Sequence, residues 1–153
     1  METKKFGLAL IEFLVHYLVY AFITVGLHEY FHLQTLRLLG GDGYIRLTWM
    51  GGYCVAEVLP KHGIWLWYLS GGLFTALVLF LLSWFMENEI EEKAAVLPFI
   101  LEQIGYGFYE MLFITRLSSS DYIRYAMILN PILHFTGFAI GLYLLLRKMI
   151  RNI

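Results

Sequence analysis

Val25-Gly26-Leu27-His28-Glu29-Tyr30-Phe31-His32-Leu33 sets two histidines and a glutamate inside an apolar run that begins at Phe6. The helical pattern of that run continues to about Leu39, where Gly40-Gly41 ends it. Residues four apart lie one turn up the same helix face, so His28 and His32 can grip one metal ion together. Glu29 sits one position further round, within reach of a water on that ion. Three ionisable groups within one turn of an apolar helix cost several kcal/mol unless they are paired or metal-bound. A chance match to the pattern is on the order of one in a hundred in such a chain. The alternative reading is a structural hydrogen-bonded cluster.

Working outward, apolar segments near the roughly 20 residues that a bilayer requires can be drawn four times. They are Phe6–Leu33, Ile64–Met86, Ala94–Thr115 and Tyr122–Leu146. Lys4 and Lys5 ahead of the first run resemble a signal peptide, but Glu12 and His16 interrupt it and no small-residue cleavage site follows. It reads as a retained first membrane helix, with Glu12 and His16 paired four residues apart. The run Glu87–Lys93 reads as a solvated turn. Ser118-Ser119-Ser120 breaks the chain before the fourth helix, and Asp121 is placed to cap that helix. Asn130-Pro131 predicts a kink, and Gly137 with Gly141 a close-packing face.

The stretch after the first helix has another rhythm. Tyr44-Ile45-Arg46-Leu47-Thr48-Trp49 alternates polar and apolar residues, Met50-Gly51-Gly52 reads as a turn, and Tyr53–Val58 offers a partner strand. The expected fold is therefore an all-α polytopic membrane protein: about four transmembrane helices, with a short β-hairpin between the first and second. It forms a single domain over residues 1–153.

Composition agrees with that class. Hydrophobic residues make up 59% of the chain and charged ones 15%, too apolar for an ordinary soluble domain. A net charge of -1 excludes the basic face that nucleic acid requires. Cys54 is the single cysteine, so disulfides and cysteine-cluster metal sites are excluded and any metal falls to histidine and carboxylate. Lys and Arg divide six to five between the two sides of a four-span chain, which assigns neither face to the inside.

A catalytic zinc takes three protein ligands and keeps an open position. Candidates for the third are Asp121, Glu110, His134, Glu102, His16 and His62. With helices alternating in direction, Asp121 starts the fourth at the end nearest His32, and Glu110 lies about two turns below the top of the third. Asp121 leads on that count, with a helix cap as its other role. Glu110 is second, the alternative being a partner for Arg116 or a tyrosine. His134 and Glu102 lie deeper, and His16 is about 18 Å from His28 along the axis. His62 reads as a loop histidine.

These residues resemble, in order, the site-2-protease family of intramembrane metallopeptidases, above all its small prokaryotic members. The resemblance is carried by His28-Glu29-Tyr30-Phe31-His32 in the first core helix, then the Gly-rich turn and hairpin. It continues through Leu69-Ser70-Gly71-Gly72-Leu73 opening the next helix, and Ser120-Asp121 beginning a late one with Pro131 further on. Phe31 stands where the family usually has a small residue, Tyr122 where it has glycine, and Gly71-Gly72 where it has Gly-Pro. The resemblance implies one zinc ion per chain held by His28, His32 and Asp121, with Glu29 as general base. The expected function is hydrolysis of a peptide bond in a membrane-embedded or membrane-proximal substrate, the partners being that substrate and the lipid bilayer. The resemblance also gives the hairpin a role. A peptide bond inside a helix must be unwound before attack, and a strand edge can hold the extended chain by backbone pairing. Tyr44, Ile45, Arg46, Leu47, Thr48 and Trp49 are the expected substrate-binding strand, Tyr53–Val58 the other choice, and a mere cover over the site the alternative. Two further functions compete: a non-catalytic zinc-binding scaffold, and a metal transporter or sensor using His16, His28, His32 and His134 as a relay.

Overall fold

The computed structural model describes the backbone of residues 2–48, 51–85, 90–114 and 119–151, and the side chains of 6–48, 51–85, 90–112, 128–129, 131–148 and 150. Four helices and one hairpin follow in the order α1 (Glu2–Leu38), β1 (Asp42–Thr48), β2 (Gly51–Val58), α2 (Ile64–Phe85), α3 (Ile90–Ile114) and α4 (Ser119–Arg151). The helical class and the hairpin between the first two helices are as the sequence leads one to expect. Trp49, the last residue of the expected first strand, lies outside the described residues, and so does Met50.

The corner between α1 and the hairpin is a Schellman motif. Gly40 takes φ 83°, a left-handed conformation that glycine adopts without steric cost. Its N–H donates to the Arg37 carbonyl at 3.0 Å, and the Gly41 N–H donates to the Leu36 carbonyl at 2.9 Å, satisfying the last orphan acceptors of the helix. β1 and β2 then pair antiparallel, with Tyr44 opposite Val55 and Ile45 opposite Cys54. Leu33, Leu36 and Trp67 form a small core under this hairpin, joined by Ile45, Cys54 and Ala56.

Helix α3 packs against α1, α2 and α4, and so is the central element. Its contacts depend on missing side chains. A Cβ on Gly72 of α2 would lie 2.3 Å from the Gln103 carbonyl oxygen and 2.4 Å from the Gly107 nitrogen. On the other flank, Gly137 and Gly141 of α4 would meet the Pro98 and Ala94 backbone at 2.5 and 2.3 Å. Helices meet this closely only through small residues. A second core, built around Phe13, Leu79, Phe99 and Leu145, fills the end of the bundle away from the hairpin.

By length and composition, two helices among the described residues can cross a membrane: Phe6–Leu38 and Ile64–Phe85. Four such spans are expected from the sequence, and the described residues supply two of them. For α3 the reason is visible: Glu91, Glu92, Lys93, Glu102, Gln103 and Glu110 lie along it.

Candidate metal centre

His28 and His32 stand one above the other on α1, and α3 brings Glu110 to them. His32 Nε2 is 3.0 Å from His28 Nε2 and 3.1 Å from Glu110 Oε2, and His28 Nε2 is 3.6 Å from the same oxygen. All three residues are buried, and among the described residues they form the group able to hold a metal ion. Ligand atoms bound tetrahedrally at about 2.0–2.1 Å stand about 3.3 Å apart. The three separations bracket that value.

The outer ring nitrogens fix the chemistry of the inner ones. His28 Nδ1 donates to Gln103 Oε1 at 2.6 Å, and His32 Nδ1 donates to the Trp67 carbonyl at 2.8 Å. A neutral imidazole with its proton on Nδ1 presents a lone pair at Nε2. Two such lone pairs and a carboxylate oxygen therefore point at one another in a buried space. That arrangement is unfavourable unless a proton or a cation lies among them. Outer partners of this kind accompany metal-bound histidines as a rule. The donor set fits a zinc site: two imidazoles and one carboxylate, with a fourth position to spare.

Local sequence explains how each side chain gets there. Gly71 leaves room for the His32 ring, since a Cβ at that position would lie 2.2 Å from His32 Nε2. The Gly72–Gly107 contact draws α3 close enough for Gln103 and Glu110 to reach α1. Gln103 and Glu110 are seven residues apart, two turns along one face of α3. Tyr106 rises between them, its ring centroid 5.1 Å from that of His28.

Glu29 is also buried and points toward the hairpin. A Cβ on Gly52 would meet Glu29 Cγ at 2.6 Å, and the Cys54 N–H donates to the Glu29 carboxylate. Glu29, His32 and Glu110 line one cavity of about 330 Å³, with Gly52, Tyr53 and Cys54 of β2 on its opposite wall. None of Tyr44, Ile45, Arg46, Leu47 and Thr48 lines it. Burial, followed by the negative charge of Glu29, pushes the Cys54 thiol up to about 11, with Trp67 and Arg37 pulling the other way.

The remaining candidates fall elsewhere. Asp121 lies in the first turn of α4, which begins at Ser119, and its side chain is outside the described residues. Glu110, ranked second from sequence, is the carboxylate found with the histidines. His134 Nδ1 lies 2.5 Å from Glu102 Oε2, and its Nε2 accepts from the Tyr17 hydroxyl. His16 faces Glu92 at 3.9 Å rather than pairing with Glu12. His62 is exposed in the turn before α2. Gln103 and the Trp67 carbonyl are absent from the sequence reading. The spacing of Gln103 and Glu110, two polar residues on one face of an otherwise apolar helix stretch, is the signal that could have found the first. No family model, curated protein or solved structure matches the chain.

Proposed function

We propose that the protein is an integral membrane zinc metallopeptidase of the site-2-protease kind, with His28, His32 and Glu110 as metal ligands and Glu29 as general base. The observation that carries this reading is the shared cavity: the base of the HExxH motif, Glu29, and two of the three converging ligands, His32 and Glu110, open onto one space. Zinc held there would supply a water with a pKa near 7 and polarise a carbonyl. Glu29 takes the proton of the attacking water and delivers it to the leaving amine. Gln103 and the Trp67 carbonyl hold both imidazoles in the tautomer that leaves Nε2 free. Because β2 lines the cavity, it is the strand best placed to receive an extended substrate by backbone pairing, with β1 completing the hairpin behind it.

A multi-pass membrane location is part of the proposal. Only 17% of the apolar window of α1 and 39% of that of α2 are buried, whereas the core helix of a soluble protein is mostly covered. Phe22, Leu18 and Phe135 are 81%, 59% and 70% exposed, which suits lipid rather than water. The lipid-facing positions of α4 make it a third crossing element, and α3, shielded by α1, α2 and α4, a fourth.

The test is metal content and proteolysis of detergent-purified protein, comparing wild type with Glu29→Gln, Glu110→Ala and Asp121→Ala. The expected result is about one zinc per chain, kept in Glu29→Gln with cleavage abolished, lost in Glu110→Ala and kept in Asp121→Ala. Zinc binding without cleavage of any membrane peptide would favour the scaffold, and an absence of zinc would end the metallopeptidase reading.

A further inference from the structure

Four buried side-chain atoms among the described residues have no hydrogen-bond partner: His16 Nδ1, Thr24 Oγ1, Thr75 Oγ1 and Trp67 Nε1. The hydroxyls of Thr24 and Thr75 can turn toward a helix carbonyl, and His16 can leave Nδ1 without a proton. An indole nitrogen can do neither, since it only donates and its N–H lies fixed in the ring plane. Of the four, Trp67 is the one that lines the cavity of the metal centre. Its N–H faces the Cys54 sulfur on the β2 wall and draws that thiol down against the effect of burial. The two are nevertheless not in hydrogen-bond contact.

The ring is not free to swing away and find a partner. The Trp67 carbonyl accepts from His32 Nδ1 at 2.8 Å and from Ser70 Oγ at 2.6 Å, which pins the backbone. The indole lies 4.6 Å from the Tyr68 ring, meets the His32 imidazole edge-on at 6.3 Å, and packs with Leu33 and Leu36. A donor fixed in this way loses little freedom when an acceptor arrives. Two carboxylates, Glu29 and Glu110, share the cavity wall. Even with a divalent ion bound, the cavity has no net positive charge to draw an anion, so a neutral acceptor fits best.

We propose that the Trp67 indole N–H is a substrate-binding donor, which takes the carbonyl oxygen of one amide in the extended peptide held along β2. This rests on the reading of the cavity as a peptidase site and adds a residue that the HExxH pattern does not reveal. In an extended chain the backbone carbonyls point alternately to opposite sides. Those facing β2 can pair with its free edge, since the sheet has only two strands. Those facing away meet the helices, where a buried carbonyl left unpaired is costly. Trp67 stands on that helix side with its N–H turned to β2, and so satisfies one of them. A site built around such a donor rejects a chain that lacks the acceptor.

The experiment uses the full chain in detergent, isotope-labelled at its tryptophan indole nitrogens, with Glu29→Gln so that a peptide is held and not cut. The probe is acetyl-Leu-Leu-Leu-amide, and the Trp67 signal is assigned by its loss in Trp67→Phe. A second protein carries Trp67→benzothienylalanine, which puts sulfur in place of the N–H and keeps the shape of the ring. The Trp67 signal should move downfield as the probe saturates. The sulfur-bearing protein should bind the probe about tenfold more weakly, the effect of one lost hydrogen bond, with its zinc content unchanged. Replacing the carbonyls of the probe by methylene, one at a time, should cost the indole about tenfold at one position and the sulfur ring nothing there. An unmoved signal at saturation, equal affinity of the two rings, or no binding of the probe would overturn the assignment. Cleavage of a peptide by wild type together with an unmoved signal would keep the peptidase and remove Trp67 from substrate binding. A moved signal in a chain whose wild type cuts no peptide would leave Trp67 as the donor of a peptide-binding scaffold and remove the peptidase reading.

Discussion

His28 Nδ1 and Gln103 Oε1 lie 2.6 Å apart, joining the HExxH helix to the helix that carries Glu110. An amide oxygen only accepts, so the imidazole must carry its proton on that side. Gln103 therefore decides which nitrogen of His28 faces the other ligands. Gln103→Leu should lower zinc affinity by about 10–100-fold, or roughly 1.4–2.7 kcal/mol. Competition with a chromophoric chelator measures this. Gln103→Glu, which keeps an acceptor, should recover most of it.

The Gly72–Gly107 crossing should be intolerant of even one carbon. A Cβ on Gly72 meets backbone atoms at 2.3 and 2.4 Å, and backbone cannot turn aside as a side chain can. Gly72→Ala is expected to cost about 1–3 kcal/mol by overpacking and to weaken zinc binding by moving α3. Gly26→Ala is the control, since nothing lies within 4 Å of its Cβ. That change should be neutral or stabilising by up to about 1 kcal/mol. Thermal unfolding in detergent together with a zinc titration reads both effects.

Removal of metal should loosen the bundle. An ion bound at about 1,000 times its dissociation constant stabilises the folded state by about 4 kcal/mol. A strong chelator should lower the unfolding midpoint of wild type and leave Glu110→Ala unchanged. An identical drop in the variant would mean that the chelator acts away from His28, His32 and Glu110.

Cys54 reports on the charge of Glu29. With its thiol pushed up to about 11, only the small thiolate fraction reacts at neutral pH, and the alkylation rate should climb about tenfold per pH unit up to that value. The negative charge of Glu29 helps to hold the thiol protonated. Glu29→Gln should therefore bring the thiol down and speed alkylation by iodoacetamide at pH 8–9. Equal rates in the two proteins would show that burial alone governs the thiol.

Tyr17, His134 and Glu102 join α1, α4 and α3 away from the metal. His134→Ala leaves Glu102 and Tyr17 without this partner and should destabilise the fold by about 1–3 kcal/mol. His134→Ala combined with Glu102→Leu should cost less than the sum of the two, with a coupling of about 0.5–3 kcal/mol in a double-mutant cycle.

The local parts of this protein could be read from its residues. Turn glycines and alternation mark the hairpin, and the apolar runs mark the helices, because both signals act over a few neighbours. The pairing of distant segments was harder to read. On the sequence Asp121 leads Glu110 because helices of alternating direction start the fourth at the end nearest His32; in the structure His28 and His32 lie ten and six residues before Leu38, the end of α1. Glu110, four residues before the end of α3, matches that depth. Glu12–His16 looked like a pair from spacing alone. The arrival of α3 puts Glu92 beside His16 instead.

The bonds that complete the metal centre span 75 and 78 residues of chain. During synthesis at about 5–20 residues per second, α1 therefore emerges about 4–15 s before its partners exist. For that interval His28, Glu29 and His32 have neither Gln103 nor Glu110. In the membrane location proposed above, a nascent first helix carrying three such groups is a poor resident of lipid, so it has reason to wait beside the insertion machinery until α3 arrives. If the centre takes a metal as proposed, its capture marks a finished chain: a product truncated before Gln103 would lack Glu110 as well and is expected to hold no ion.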